Sequence, residues 1–416
     1  MSTQTEISHV LHQPAWAAAR ASRFKQRFAA VLTDIARGAI AREEERRLPS
    51  AELEQLKDAG FTRATLPEEL GGGGASLSEG LELLSHLAQH EPNLAQVLRS
   101  HFALVERQIL APPSSARDRV LARIASGAVY GNASHERSSA QVGSLETRVR
   151  AHGDGYVLSG TKYYSTGTLY ADWVSVSAVD EEGEFVGVAV DTRSPGVTRV
   201  DDWNGFGQRL TGSGTTVFDE VRVPAHDVTH RTGSAPGHGG AYVQLVLLAA
   251  LNGISRAIVS DAIEFVARRT RVYSNGSGAT AASDPIVLET IGELSALSYQ
   301  ADAALQSAVA ALQDSHDLQA ADAAPRAIDE AVVRGDTATA HAQIVVVTAV
   351  LDAATKLFDI GGASATDRSR GLDRHWRNAR TIATHNPHRN KAKAIGDLLV
   401  NGTPLSNSWQ TGEAIV

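Results

Sequence analysis

The sequence predicts an α+β protein with a helical N-terminal domain, a small central β domain of barrel-like form and a helical C-terminal domain. Three observations lead there. Between Gly155 and Pro224, short runs of β-branched and aromatic residues alternate with Gly and Asp-Gly turns, as in GYVLSGTKYYSTG and DDWNGFGQRLTGSGTTVFDEVRVP. Antiparallel strands joined by tight turns have this spacing. On either side, apolar residues recur at three- and four-residue steps, the period of helices packed on one face. The chain has 416 residues, enough for two or three domains around a large core. The expected boundaries are 1–128, 129–235 and 236–416.

Taken in order, Phe24, Phe28, Val31, Leu32 and Ile35 mark one helix from about Trp16 to Arg47. Pro49 ends it, and Ser50 is expected to cap the next. Gly71 to Gly74 read as a turn; no Walker lysine follows and no strand precedes, so a phosphate loop is not indicated. Ser76 and Glu79 form a capping box for SLSEGLELLSHLAQ. Residues Asn93 to Leu110 continue as helix and carry Gln96, Ser100 and His101. By pattern alone, His101 reads as a hydrogen-bonded packing residue. About eight strands are expected from Val129 to Pro224. The rest is helical, with loops at Ser274–Pro285, long enough for a lid, and at GGASAT.

Composition limits the function. The formal charge is −8 with no basic run, so nucleic acid is not an expected partner. With no cysteine there are no disulfides, thiolate metal sites or cysteine nucleophile. The longest apolar stretches are shorter than the roughly 20 residues of a membrane span, and the N-terminus lacks a signal-peptide pattern. A cytoplasmic protein that uses neither membrane nor nucleic acid is expected. Three polar clusters stand out: GNASHERSS, KYYSTG and RHWRNARTIATHNPHRN. None has a hydrolase elbow or zinc spacing. His385 and His388 lie three apart with no accompanying carboxylate, so no metal site is expected there. Hydroxyls, amides, histidines and arginines around glycine turns suit a neutral-to-anionic cofactor held by hydrogen bonds.

These segments resemble the acyl-CoA dehydrogenase superfamily over about Leu53 to Gly402. GFTRATLPEELGGGGASL is similar to its N-terminal helix-turn, and GTKYYSTG and the segment ending in FDEVRVP are similar to its β-domain signatures. Within it, NASHERS, KYYSTG, DDWNGFGQR and LDRHWRNARTIATHNP resemble the flavin-dependent (group D) monooxygenase branch, that of dibenzothiophene monooxygenase and the sulfur-acquisition oxidoreductases. The resemblance implies a C-terminal four-helix bundle and a homotetramer. It implies an oxidoreductase in which reduced FMN, rather than FAD, is supplied by a separate NAD(P)H flavin reductase. Reaction with O2 through a C4a-(hydro)peroxyflavin would then oxygenate a small sulfur-, nitrogen- or aromatic-containing molecule.

The same resemblance gives residues their tasks. Ser165 and Thr166 are expected at the flavin N5 edge, and Asn132 and Ser134 along the flavin and substrate side. His385 takes the active-site histidine position, and His101 the helix facing it. Gln96 and Ser100 fall on the substrate side. Arg271 is expected to grip the flavin phosphate, although a helix-end dipole contact is the plain alternative. Gly361 and Gly362 are expected to admit a neighbouring subunit's flavin, or else to cap a helix. Trp376, Arg377 and Arg380 are expected in packing and subunit salt bridges. The runner-up activity is acyl-CoA dehydrogenation with FAD. It needs a base for α-proton removal, and the usual glutamate position holds Thr384, His385, Asn386 and Pro387. A non-catalytic member of the fold is the third reading.

Overall fold

A computed structural model describes residues 15–137, 145–230, 237–270 and 276–405. The N-terminal helices are α1 (Ala15–Arg37), α2 (Ala39–Glu45), α3 (Ser50–Asp58), α4 (Leu77–His90), α5 (Pro92–Val97), α6 (Arg99–Leu110) and α7 (Ser115–Ala125). The single helix expected before Pro49 is broken at Gly38. A Cβ there would lie 2.9 Å from Arg42 Nη1, so the glycine admits a buried guanidinium that pairs with Glu52 and Glu91. Ser50 is not a cap: Pro49 holds that position without a side-chain bond. The Ser76–Glu79 capping box is present in both directions, at 3.2 and 2.8 Å. The glycine turn spends its amides on its own chain, Gly72 on Pro67 O, Gly73 on Arg63 O and Gly74 on Leu66 O, leaving no cradle for a phosphate.

Eight strands follow: β1 (Tyr130–Ala133), β2 (Arg148–His152), β3 (Gly155–Lys162), β4 (Trp173–Val179), β5 (Phe185–Asp191), β6 (Val197–Arg199), β7 (Thr216–Pro224) and β8 (Val228–His230). They join in the order β6-β7-β3-β2-β4-β5-β8, with β1 also on β4. The sheet is mixed rather than antiparallel throughout. Strand β4 runs parallel to β1 from Trp173 to Val176, and to β2 at the single pair Arg148↔Val179. That short join lets the two halves turn toward each other. Val149, Leu158, Phe218 and Val221 of one half meet Val174, Val176, Val188 and Val190 of the other in a single core.

The C-terminal bundle is built from α8 (Gly239–Arg268), α9 (Pro285–Ala320), α10 (Pro325–Lys356), α11 (Asp373–Thr384) and α12 (His388–Asn401). By length and composition α8 passes for a membrane span, yet 83% of its most apolar window is buried inside the protein. It is the axis of the main core, touching helices of both helical domains. The RHWRNAR segment lies on α11, within the stretch expected to be helical.

Candidate active site

Two turns of the β domain meet beneath α5. After β3 the chain passes through Tyr164, whose φ of 58° is left-handed for a non-glycine residue, into Ser165 and Thr166. The Ser165 amide donates to Gly214 O at 3.2 Å. Hydroxyls then form a chain: Thr166 Oγ1 lies 2.8 Å from Ser213 Oγ, which lies 2.7 Å from Thr211 Oγ1, which donates to Gln208 O. Helix α5 sits directly on this turn, because a Cβ on Gly167 would come 2.6 Å from Val97 O. Several polar atoms here are buried and unpaired: Ser165 Oγ, Gln96 Oε1, and both amide atoms of Gln208. Buried orphans cost about 1–3 kcal/mol each unless a ligand or water completes them.

Strand β1 supplies the neighbouring edge. Ser177 donates to Ser134 Oγ at 3.1 Å, and Ser134 donates to Asn132 Oδ1 at 2.9 Å. The relay fixes the Asn132 amide with its acceptor end occupied and its NH2 turned to donation. Just beyond, Glu136 and Lys162 form a buried ion pair at 2.5 Å, and Glu136 also accepts from the amides of Glu146 and Thr147. Three donors keep the carboxylate below its usual pKa against the opposing effect of burial. This pair fastens the loop that carries His135, whose ring meets Tyr164 edge-on at 6.3 Å.

His385 closes the recess at the C-cap of α11. Its side chain is open at the surface, yet the protein around its ring dehydrates it. Together with the charges of Arg99 and His135, this dehydration holds the imidazole down to about 3. A ring both accessible and dehydrated lines a recess. The turn behind it is locked: Asn386 donates to Gln244 Oε1 at 2.8 Å and accepts from Gln343 at 2.6 Å. His385 is therefore neutral near pH 7, able to accept or donate one hydrogen bond.

The remaining expected residues divide. Gln96 is buried beside the hydroxyl turn, and Ser100 is half-buried one residue after Arg99. His101 is fully buried with both ring nitrogens taken. Nδ1 accepts from the Tyr130 amide at 3.3 Å and Nε2 donates to Thr62 O at 2.8 Å. With both ring nitrogens bonded, it ties α6 to Thr62 and to β1. Gly361 faces Phe265, whose ring a Cβ would meet at 2.4 Å. Phe265 and Gln244 lie 21 residues apart on α8, about 30 Å by helical rise. Gly361 and Gly362 thus sit at the opposite end of α8 from His385 and are not brought to it within one chain. Arg271 lies outside the described residues. Sequence reasoning missed Arg99, His135, Tyr164 and Gln208. His135 and Tyr164 lie in the polar clusters GNASHERSS and KYYSTG, and Gln208 in DDWNGFGQR, whereas Arg99 lies in no segment singled out there.

The architecture has known counterparts. The profile for the acyl-CoA dehydrogenase N-terminal domain matches residues 22–128, that for the middle domain 133–221, and that for the C-terminal domain 245–390. The chain belongs to the acyl-CoA dehydrogenase superfamily. It is 28% identical over 376 residues to a dibenzothiophene monooxygenase of Mycolicibacterium goodii, covering 84% of this chain and 87% of the relative. It is 28% identical over 382 residues to the probable FMNH2-dependent monooxygenase SfnC of Pseudomonas putida, covering 88% and 92%. The structure of methanesulfinate monooxygenase MsuC from Pseudomonas fluorescens superposes with a TM-score of 0.83 at 26% identity, covering 92% of this chain and 98% of that one.

In this superfamily member the RHWRNAR helix is a three-way clamp. Arg377 bonds Glu43 and Phe206 O, Asn378 accepts from the Gln208 amide, and His375 and Arg374 both hold Asp261 at 2.7 Å. The Arg377 partners lie in its own chain. A separate buried group, Glu106 with His238 and His316 at 2.7 Å each, lies away from the recess against a cavity of about 380 Å³.

Proposed function

We propose that this protein is an FMNH2-dependent monooxygenase that oxygenates a small sulfur-, nitrogen- or aromatic-containing substrate. Its reduced flavin comes from a separate NAD(P)H flavin reductase, and it works as a cytoplasmic homotetramer. The observation that carries the reading is the recess itself. A hydroxyl turn with an orphaned Ser165, the donating Asn132 amide and a neutral His385 converge there, and the groups whose charges reach His385 are Arg99 and His135, neither of them a carboxylate. Dehydrogenation requires a base for the α-proton, and no carboxylate acts on His385. The named relatives support the same choice.

FMNH2, when bound, supplies the activated oxygen through its reaction with O2. The residues fit a flavin edge that needs hydrogen bonds rather than charge. Thr166 is held by Ser213 and presents its remaining hydroxyl capacity beside Ser165. Asn132 donates in the plane set by Ser134. His385, dehydrated and neutral, holds a proton for oxygen reduced in the recess. Gly361 and Gly362 serve the site only across a subunit boundary, which gives the tetramer a function, and Arg271 takes the phosphate.

The test is anaerobic loading with reduced FMN and rapid mixing with oxygenated buffer, followed by absorbance. A transient distinct from reduced and oxidised flavin, shorter-lived in His385→Ala, supports the proposal. Bleaching of bound oxidised FAD by an acyl-CoA would overturn it in favour of dehydrogenation.

A further inference from the structure

Arg99 opens α6 within electrostatic reach of His135 and His385, and it is buried, with 7% of the residue exposed. Its Nε has no partner, and among the described residues no hydrogen bond or ion pair reaches it. Two other interior arginines are paired with carboxylates. Arg42 is held by Glu52 and Glu91, and Arg256 by Glu82 at 2.9 Å and Asp302 at 2.5 Å. The carboxylates on neighbouring elements are committed: Glu91 to Arg42, Glu136 to Lys162, and Asp172 to Lys57. The groups that do face Arg99 are His135 and His385, which add donors and no negative charge. Gln96, three residues before it, and Ser165, on the hydroxyl turn, also carry buried unpaired atoms.

We propose that Arg99 is the anchor for an anionic group on the substrate, a sulfinate, sulfonate or carboxylate, so that the enzyme oxygenates small organic acids rather than neutral heterocycles. The proposal rests on the monooxygenase reading and narrows it. A buried guanidinium without a counter-charge is costly, and a planar two-oxygen acid offers the fork what it lacks. Placing the acid at Arg99 sets the rest of a small molecule between His385 and the hydroxyl turn, where the oxygen is delivered. Burial without a carboxylate pulls Arg99 down to about 10, which still leaves it charged at neutral pH. The same positive site could instead answer an anion of the flavin, and the experiment separates the two.

Methanesulfinate and benzenesulfinate are titrated calorimetrically into flavin-free protein, with methyl phenyl sulfone as the uncharged control. Wild type, Arg99→Gln, Arg99→Lys and Arg99→Met are compared, and FMN affinity is measured in parallel. The expected result is saturable sulfinate binding by wild type, weakened at least tenfold in Arg99→Gln and partly kept in Arg99→Lys, with no discrimination left in favour of the anion. Arg99→Met without ligand should melt no lower than wild type, since it removes an uncompensated charge; a structural arginine would melt lower. Absence of sulfinate binding by wild type, unchanged binding in Arg99→Gln, or a loss confined to FMN affinity each overturns the proposal. Because these titrations need no flavin, failure of the anion site is distinct from failure to form an oxygen-reactive flavin complex.

Discussion

Replacing Lys162 by Met tests how the recess is held together. The ammonium is buried with no side-chain exposure and sits 2.5 Å from Glu136, itself only 1% exposed. Removing one partner of a buried pair costs about 3–5 kcal/mol, because the other charge stays behind. Glu136 keeps two donors, the Glu146 amide at 2.6 Å and the Thr147 amide at 3.0 Å, which argues for the lower end, about 3 kcal/mol. The loss falls on one loop, so a local readout suits it better than global unfolding. Hydrogen exchange of the Glu146 and Thr147 amides should accelerate by a factor of roughly 150, the equivalent of that energy. In Lys162→Met/Glu136→Gln, where no charge is stranded, most of the protection should return. FMN affinity should fall in the single variant, since the same loop carries His135 and continues directly from the strand that holds Asn132. Exchange within fivefold of wild type, or strictly additive effects in the double variant, would refute the account of the pair as the brace of this loop.

Four further outcomes follow from the geometry. His101, fully buried and dehydrated to about 4, must stay neutral, whereas in the unfolded chain it titrates near 6.5; its contribution to stability is present above 6.5 and lost as pH falls toward 4, by about 3 kcal/mol. The difference between wild type and His101→Gln, measured by denaturation across that window, should carry this slope. Thr166→Val removes the hydroxyl bonded to Ser213 at 2.8 Å and should weaken FMN binding five- to tenfold, about 1 kcal/mol, with little change in melting temperature. Asn378→Ala frees the Gln208 amide and should cost about 1–2 kcal/mol while loosening the Trp203–Gln208 turn, seen as altered tryptophan emission. Gly72→Ala drives a Cβ to 1.9 Å from Leu66 O and should lower the yield of folded protein sharply, whereas Gly71→Ala, with open space around it but φ of 82°, should cost only about 1 kcal/mol.

Local patterning was sufficient for the order of elements. Alternation with Gly and Asp-Gly turns announced the strands, and three-to-four periodicity announced the helices. The Ser76–Glu79 box formed as written, because each of these depends on residues close in the chain. The long motifs were also enough to place the protein in its superfamily. Long-range partners decided the rest. Whether Gly38 breaks a helix depends on Arg42 finding Glu52 and Glu91. Whether His101 is a reagent or a brace depends on two backbone groups, at Thr62 and Tyr130, that no pattern around it reveals. Arg99 gives no sign in the sequence of being the unpaired arginine. That property is a sum over every carboxylate around it and the partner each has taken, and only the packed chain performs that sum.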